Sequence, residues 1–256
     1  MPKRNTQQRR HQILEAVNNE GEVSVDQLAR LYHTSEVTVR KDLAALEEAG
    51  LLLRRYGGAV SLPKEIVDES PSIEPSQGKR AIAARAAELI RDHNRIIIDS
   101  GSSCTALLPH LSKVQGLVVM TNSLAVAASL RELENEPTLL MTGGTWDKRS
   151  ESFQGLQAEQ MLRHYNFDQL FIGADGIDPE RGTTTYNEFT ALSRCMAEVA
   201  REVIVLAEST KTERKIPNLE LPWAEVSTFV TDSKLKQQQK YAIEQQGVRV
   251  MCAQLD

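Results

Sequence analysis

The sequence predicts an α/β protein in two parts: an N-terminal winged helix-turn-helix and a larger C-terminal domain built on a mostly parallel sheet. Three observations carry this prediction. The chain has 256 residues, more than the roughly 100 to 200 of one usual domain. Residues 1–60 show the apolar spacing of three helices and a hairpin. From Lys79 onward, short continuous aliphatic runs alternate with helix-length segments. The expected boundaries are 1–60 for the first domain, 61–78 for a linker and 79–256 for the second domain.

Ile13, Leu14 and Val17 form the inner stripe of a first helix that starts near Gln7 and stops at Asn18-Asn19-Glu20-Gly21. Val23-Ser24-Val25 leads into a second helix, with Ser24 as its cap and Leu28 and Leu31 facing inward. After His33-Thr34-Ser35 comes a third, Glu36 to Glu48, with Ser35 as cap and Glu36 at the positive helix end. At 100° per residue Val39, Leu43 and Leu46 share one face, while Val37, Lys41 and Ala44 fall opposite, flanked by Thr38 and Arg40. An apolar Val37 beside two cations is suited to a thymine methyl in a major groove; the alternative is a solvated valine. Leu51 to Val60 reads as two short strands about Gly57-Gly58, a wing whose Arg54 and Arg55 suit phosphate contacts.

The net charge of −5 looks wrong for a nucleic-acid reader until it is split. Residues 1–60 hold nine Lys/Arg against eight Asp/Glu, net +1, which leaves 21 against 27, net −6, for the rest. The basic residues cluster: Lys3, Arg4, Arg9 and Arg10 as an arm, Arg40-Lys41 on the third helix, and Arg54-Arg55. Phosphate neutralisation needs such clustering, although a solvated surface of mixed sign is the alternative.

The stretch Val23-Ser24-Val25-x-x-Leu28, then Ser35-x-x-Thr38-Val39-Arg40-Lys41-Asp42-Leu43-x-x-Leu46, then Arg55-Tyr56-Gly57-Gly58 resembles the DeoR (or GlpR) family of sugar-catabolism regulators. The resemblance implies a winged helix-turn-helix on double-stranded operator DNA, with Thr38, Arg40 and Lys41 facing it. The candidate DNA-contacting residues are Ser35, Val37, Thr38, Arg40, Lys41, Arg54 and Arg55.

Ser61-Leu62-Pro63 through Pro71, Pro75 and Gly78 is polar, proline-punctuated and aperiodic, as a linker is. A helical stripe follows: Ile82, Ala83, Ala86, Leu89 and Ile90. Buried strands are expected at Ile96–Ile98, Leu117–Met120, Thr138–Met141, Leu170–Ile172, Val203–Leu206 and Phe229-Val230. Ligands of such sheets bind beyond the strands' carboxyl ends. Four ends carry polar loops: Asp99-Ser100-Gly101-Ser102-Ser103, Thr121-Asn122-Ser123, Thr142-Gly143-Gly144-Thr145 and Gly173-Ala174-Asp175-Gly176. The first, with a glycine turn, hydroxyls and a helix start, has the makings of a phosphate cradle; one such loop alone would as well be a helix cap.

These loops, with Lys148-Arg149-Ser150-x-Ser152-Phe153-x-Gly155, Asn187-Glu188 and Ser209-Thr210-Lys211, resemble the family's sensor domain, similar in fold to ribose-5-phosphate isomerase. The resemblance implies a sugar-phosphate effector, its phosphate at Ser100, Gly101, Ser102 and Ser103 and its sugar at Asp99, Asn122, Asp175 and Glu188. Gly143 and Gly144 join the rim, and Lys211 is placed to neutralise the anion, with a solvated lysine as the alternative. Within the family the chain resembles the branch that regulates hexitol and amino-sugar catabolism, on Ser152-Phe153-x-Gly155 and Thr183 to Glu188. Two places depart from the family: Glu208 to Glu213 stands for Asp-Ser-Ser-Lys-Phe-Gly, and His93-Asn94 for a glycine turn.

The rival reading is an isomerase-like enzyme using Asp175, Glu188 and Lys211 as acid and base. The isomerases follow Gly-Ala-Asp-Gly with a Lys-Gly-Gly-Gly loop, whereas here Ile177-Asp178-Pro179-Glu180-Arg181-Gly182 follows. A regulator without catalysis is therefore expected. No metal or cofactor is expected, since His11, His33, His93, His110 and His164 lie apart and the three cysteines, Cys104, Cys195 and Cys252, form no CxxC. Those cysteines should be small buried groups. Hydrophobic residues at 41% without an apolar run of roughly 20, and no apolar stretch after the polar start, predict a cytoplasmic protein that meets no membrane. A homo-oligomer, dimer or tetramer, is expected of an operator reader.

Overall fold

The structure is a computed structural model and describes residues 6–48, 52–55, 57–61, 75–148, 150–186, 190–214, 216 and 218–255. The chain divides into two compact units, Met1–Glu74 and Pro75–Asp256.

In the first unit, helices α1 (Thr6–Glu20), α2 (Val25–Leu31) and α3 (Glu36–Glu48) pack with strands β1 (Glu22–Ser24), β2 (Leu52–Arg55) and β3 (Gly58–Ser61). The three strands form one antiparallel sheet in the order β1-β3-β2. Strand β1 is an addition to the expected hairpin. Ile13, Val17, Leu28, Val39, Leu43 and Leu52 form the core. The cap of α2 is a reciprocal box: Gln27 N donates to Ser24 Oγ at 3.1 Å and Ser24 N to Gln27 Oε1 at 2.8 Å. Leu31 was expected inside but is 56% exposed, because α2 ends at that residue and the inward stripe has already closed with Leu28.

Arg9 and Arg10 depart further from expectation. Their side chains are not a free arm: Arg9 Nε donates to Asp42 Oδ2 at 2.6 Å and Arg10 Nε to Asp42 Oδ1 at 3.0 Å. Asp42 is only 1% exposed. A carboxylate taken out of water needs its charge matched, and the two guanidiniums of α1 supply that from across the unit, so α1 and α3 are locked together.

In the second unit, α4 (Gln77–Ala87) opens the chain. It begins just ahead of the expected Lys79 because Ser76 Oγ accepts from Lys79 N at 3.1 Å and so caps the helix. Its stripe is buried at Ile82, Ala83 and Ala86, and Ile90 beyond the helix is buried too. The elements that follow are β4 (Arg95–Ile98), the single turn α5 (Ser102–Thr105), β5 (Val118–Thr121), α6 (Leu124–Arg131), β6 (Thr138–Met141), β7 (Thr145–Asp147), β8 (Ser152–Gln154) and α7 (Leu156–Arg163). Next come β9 (Phe167–Ile172), β10 (Gly176–Asp178), β11 (Gly182–Thr185), α8 (Ala191–Glu198), β12 (Ala200–Leu206), β13 (Asn218–Pro222), β14 (Thr228–Asp232), α9 (Gln237–Glu244) and β15 (Arg249–Ala253).

The main sheet has seven strands among the described residues, ordered β15-β14-β12-β9-β4-β5-β6, and every pairing in it is parallel. The expected six strands are all in it; β15 is an addition that the mixed run Arg249-Val250-Met251-Cys252-Ala253 conceals. The chain winds outward from β4 through β5 to β6, then returns to the other side of β4 with β9. The strand order therefore reverses between β4 and β9, the place where sheets of this kind open a crevice past the carboxyl ends. Two core clusters, one on each face of the sheet, include Ile97, Leu170 and Phe229 in the first and Ile96, Ile98 and Phe171 in the second. Two small sheets decorate the rim, β7-β8 and β10-β11-β13.

Cys104 and Cys195 are buried and Cys252 is half-buried; all three are free thiols. His93, which stands for a glycine, has φ 62° and so takes the left-handed conformation a glycine adopts without strain. No helix among the described residues is long and apolar enough to cross a membrane.

Asp42→Ala leaves two guanidiniums facing a cavity, so the first unit should lose about 3 kcal/mol, read as a lower unfolding midpoint of the full chain. An unchanged midpoint would show that the clamp contributes nothing.

Candidate functional site

The exposed side of α3 is prepared by its buried side. With Val39, Leu43 and Leu46 buried, Val37 is 59% exposed and Arg40 and Lys41 are exposed beside it. Thr38 N donates to Ser35 Oγ at 3.2 Å, which makes Ser35 the cap, and the two hydroxyls lie 2.8 Å apart. Arg40 pairs with Glu36 at 2.6 Å, one turn back. On the hairpin, Arg54 lies 3.7 Å from Glu47 and Arg55 3.5 Å from Glu22. These pairs are exposed or half-exposed and are worth about 1 kcal/mol or less each. They orient the cations without consuming them.

In the second unit, β4 and β9 bring the first and fourth loops together. Asp99 N donates to Phe171 O at 3.0 Å, and Asn122 Nδ2 from the end of β5 donates to Asp99 Oδ1 at 2.9 Å. Asn122 is 1% exposed, and its Oδ1 has no partner. A buried acceptor left open in this way calls for a donor. Burial holds the Asp99 carboxyl above its ordinary range, against hydrogen bonds from Ser100 and Asn122 and with the charge of Asp175 adding to the rise. Asp175 itself accepts from Thr185 Oγ1 at 2.7 Å and from Tyr186 N at 3.3 Å.

Gly101, at φ 101°, turns the cradle loop, and Ser103 is buried while Ser100 and Ser102 are half-buried. The helix that follows, α5, is one turn long, so its dipole is slight and the expected helix-end contribution gives way to another charge. That charge is Lys79, whose Nζ donates to Ser102 Oγ at 2.7 Å. Lys79 has no signature in the sequence beyond its place near a helix start, because a contact with a residue 23 positions away leaves no local period. Lys211 Nζ donates to Ala174 O, and Arg214 donates to Asp175 O at 2.7 Å. The Lys211 turn is anchored from behind: Ser209 N and Oγ both donate to Asp232 at 2.8 Å.

Gly143 and Gly144 sit past β6, two strands from β4, at the edge of the rim. Gly144 has φ 109°, and a Cβ there would meet Gln154 O at 2.5 Å, so only glycine lets the β7-β8 hairpin close back. That hairpin is tied to the site where Phe153 N donates to Asn122 O at 2.8 Å. Glu188 and Arg149 lie outside the described residues. A further carboxyl, Glu220 on β13, accepts from Ser193 Oγ at 2.8 Å and Thr183 Oγ1 at 3.3 Å. The alternation Leu219-Glu220-Leu221 hides it among ordinary strand residues. No group of three or more His, Cys, Asp or Glu among the described residues is placed to hold a metal ion.

The arrangement sets a loop of hydroxyls with the Lys79 ammonium on one of them beside the Asp99 and Asp175 carboxyls and the open Asn122 amide oxygen. It can hold a small molecule that is anionic at one end and rich in hydroxyl donors along its length.

A family model described as the DeoR-like helix-turn-helix domain matches residues 9–65, and one described as the DeoR C terminal sensor domain matches residues 74–233. The chain is 38% identical over 252 residues to a putative aga operon transcriptional repressor of Escherichia coli O157:H7, covering 96% of this chain and 93% of that one. It is 34% identical over 248 residues to the HTH-type transcriptional regulator GlpR of Haloferax volcanii, covering 95% and 96%. A ribose 5-phosphate isomerase A from Methanocaldococcus jannaschii shares 17% identity over 52% of each chain, with a TM-score of 0.38.

Gly144→Ala should destabilise the second unit by about 2 kcal/mol through strain at positive φ and the clash with Gln154. Urea unfolding of the full chain reads it, and an unshifted midpoint would mean the hairpin does not depend on this approach.

Proposed function

The chain belongs to the DeoR family of transcriptional regulators, and from that premise we propose that it represses a carbohydrate-catabolism operon until a phosphorylated sugar or sugar alcohol binds. It is a regulator and not an enzyme, as its relatives are named. The repressor name of one relative supports the sign of the control.

The observation that carries the sensing half is Lys79 Nζ on Ser102 Oγ within the glycine-turned loop. A cation held on a hydroxyl of a loop rich in hydroxyls matches a phosphoryl group in charge and in donors. Asp99, Asn122 Oδ1 and Asp175 then take the sugar hydroxyls, and Lys211 lies against the same loop as Asp175. On the DNA side, α3 enters the major groove with Thr38, Arg40 and Lys41 at base edges or phosphates, Val37 against a thymine methyl, and Ser35 at the helix start. The wing sets Arg54 and Arg55 on the neighbouring phosphates, exchanging weak pairs with Glu47 and Glu22 for contacts that release counterions. A homo-oligomer in the cytoplasm presents two such helices to the half-sites, and the ligand favours an arrangement in which they no longer match.

Fluorescence anisotropy on operator DNA tests both halves. Lys41→Ala should weaken operator binding about tenfold, with a shallower salt dependence if the contact is to phosphate. Asp99→Asn should leave operator affinity intact and abolish its response to sugar phosphates. If no hexose, hexitol or pentose phosphate changes the wild-type affinity in either direction, the sensing half is wrong.

A further inference from the structure

Glu220 has no role in the reading above. Its two oxygens accept from Ser193 Oγ on α8 and Thr183 Oγ1 on β11. Thr185, two residues along β11, gives its hydroxyl to Asp175. Thr183 and Thr185 stand two residues apart on one short strand, about 7 Å, although the pairing with β13 shifts register between Gly182 and Thr184, so β11 brings the carboxyls of Glu220 and Asp175 to neighbouring threonine hydroxyls. Asp99 approaches from the end of β4, and its charge and that of Asp175 both act on Glu220. Of the other charged groups bordering it, Arg194 on α8 donates to the main-chain oxygens of Glu220 at 3.2 Å and Leu219 at 3.3 Å. Past β12, Lys211 and Arg214 donate to the main-chain oxygens of Ala174 and Asp175. From β11 the Thr183 hydroxyl faces it.

We propose that Glu220 is the third carboxyl of the effector site, beside Asp99 and Asp175, and that a phosphorylated ligand binds while this carboxyl carries a proton. The proposal rests on the sugar-phosphate reading of the site. A phosphoryl dianion brought near Asp99 and Asp175 meets one charge fewer when Glu220 is neutral. The neutral acid also supplies an O–H for a sugar oxygen, on a wall that otherwise offers acceptors. Burial pushes the Glu220 carboxyl up to about 7; the Ser193 hydroxyl opposes this, Asp99 and Asp175 add to it, and the Thr183 hydroxyl opposes it. The proton is therefore half in place near neutrality. Above that pH the ligand must draw a proton from water, so its association constant falls about tenfold per pH unit; below it the constant levels off.

The test is calorimetric titration of the full chain with hexose 6-phosphates, hexitol 6-phosphates and pentose 5-phosphates between about pH 7.5 and 8.5, where the phosphoryl group stays dianionic. Running each titration in two buffers of different ionisation enthalpy counts the protons. The wild type should take up close to one proton per ligand at the upper end and lose about tenfold in affinity across the range. Glu220→Gln, which keeps the side chain's shape, should bind with neither effect. Ser193→Ala removes a donor that favours the charged form, so it should move the wild-type profile to higher pH, a shift that a purely structural role would not cause; it decides the matter if the Gln variant does not fold. Binding without proton uptake by the wild type, or uptake retained in Glu220→Gln, overturns the role of Glu220 alone. Absence of binding by every probe overturns the sugar-phosphate reading and this one with it.

Discussion

The all-parallel sheet, with its order reversed between β4 and β9, is the constraint on which the second unit depends. Parallel strands must all deliver their carboxyl ends to one edge, and the reversal sends the following loops in opposite directions, leaving a crevice between them. Asp99 stands at one lip and Asp175 at the other. The buried aliphatic strands fix that edge through area removed from water. Ile96, Ile97, Ile98, Leu170, Phe171 and Ile172 are each at most 1% exposed. The loops are thus free to carry polar groups, since none is needed to hold the sheet.

The first unit solves the corresponding problem for a helix. The inward stripe of α3 fixes its rotation, so Val37, Arg40 and Lys41 emerge on the other side. Rotation alone does not fix position along the unit. The Asp42 clamp does, because a buried carboxylate held by two guanidiniums tolerates little sliding. Of the basic residues near the N-terminus, Arg9 and Arg10 thus stabilise the fold and are not available as a charged arm.

Much of this was legible in the sequence, for physical reasons that differ by element. The helices of the first unit announce themselves by period, and α2 by Ser24 with Gln27. The central strands do so by unbroken aliphatic runs. That the loops at Asp99, Asn122 and Asp175 gather on one edge is legible because parallel strands all end on the same side. What escaped were interactions between residues distant in sequence. Arg9 and Arg10 read as part of a basic arm and Lys79 as a helix start, while the burial of Asp42, the placing of Glu220 and strand β15 have no local signal, since pairing across the fold leaves no local period. Leu31 was misread because the stripe was extended to the helix's last residue.

The proposed effector site combines opposite demands: a cation and hydroxyls around Ser102, and carboxyls with an unpartnered amide oxygen at Asp99, Asn122 and Asp175. On the proposed function, that polarity sets which way round a ligand lies. A crystal structure of the full chain soaked with a hexose 6-phosphate tests it most directly. The phosphoryl group is expected on the Ser100–Ser103 loop within hydrogen-bond reach of Lys79, and the sugar hydroxyls toward Asp99, Asn122 and Asp175. A phosphoryl group bound elsewhere on the chain, or a ligand lying the opposite way in the crevice, would contradict it.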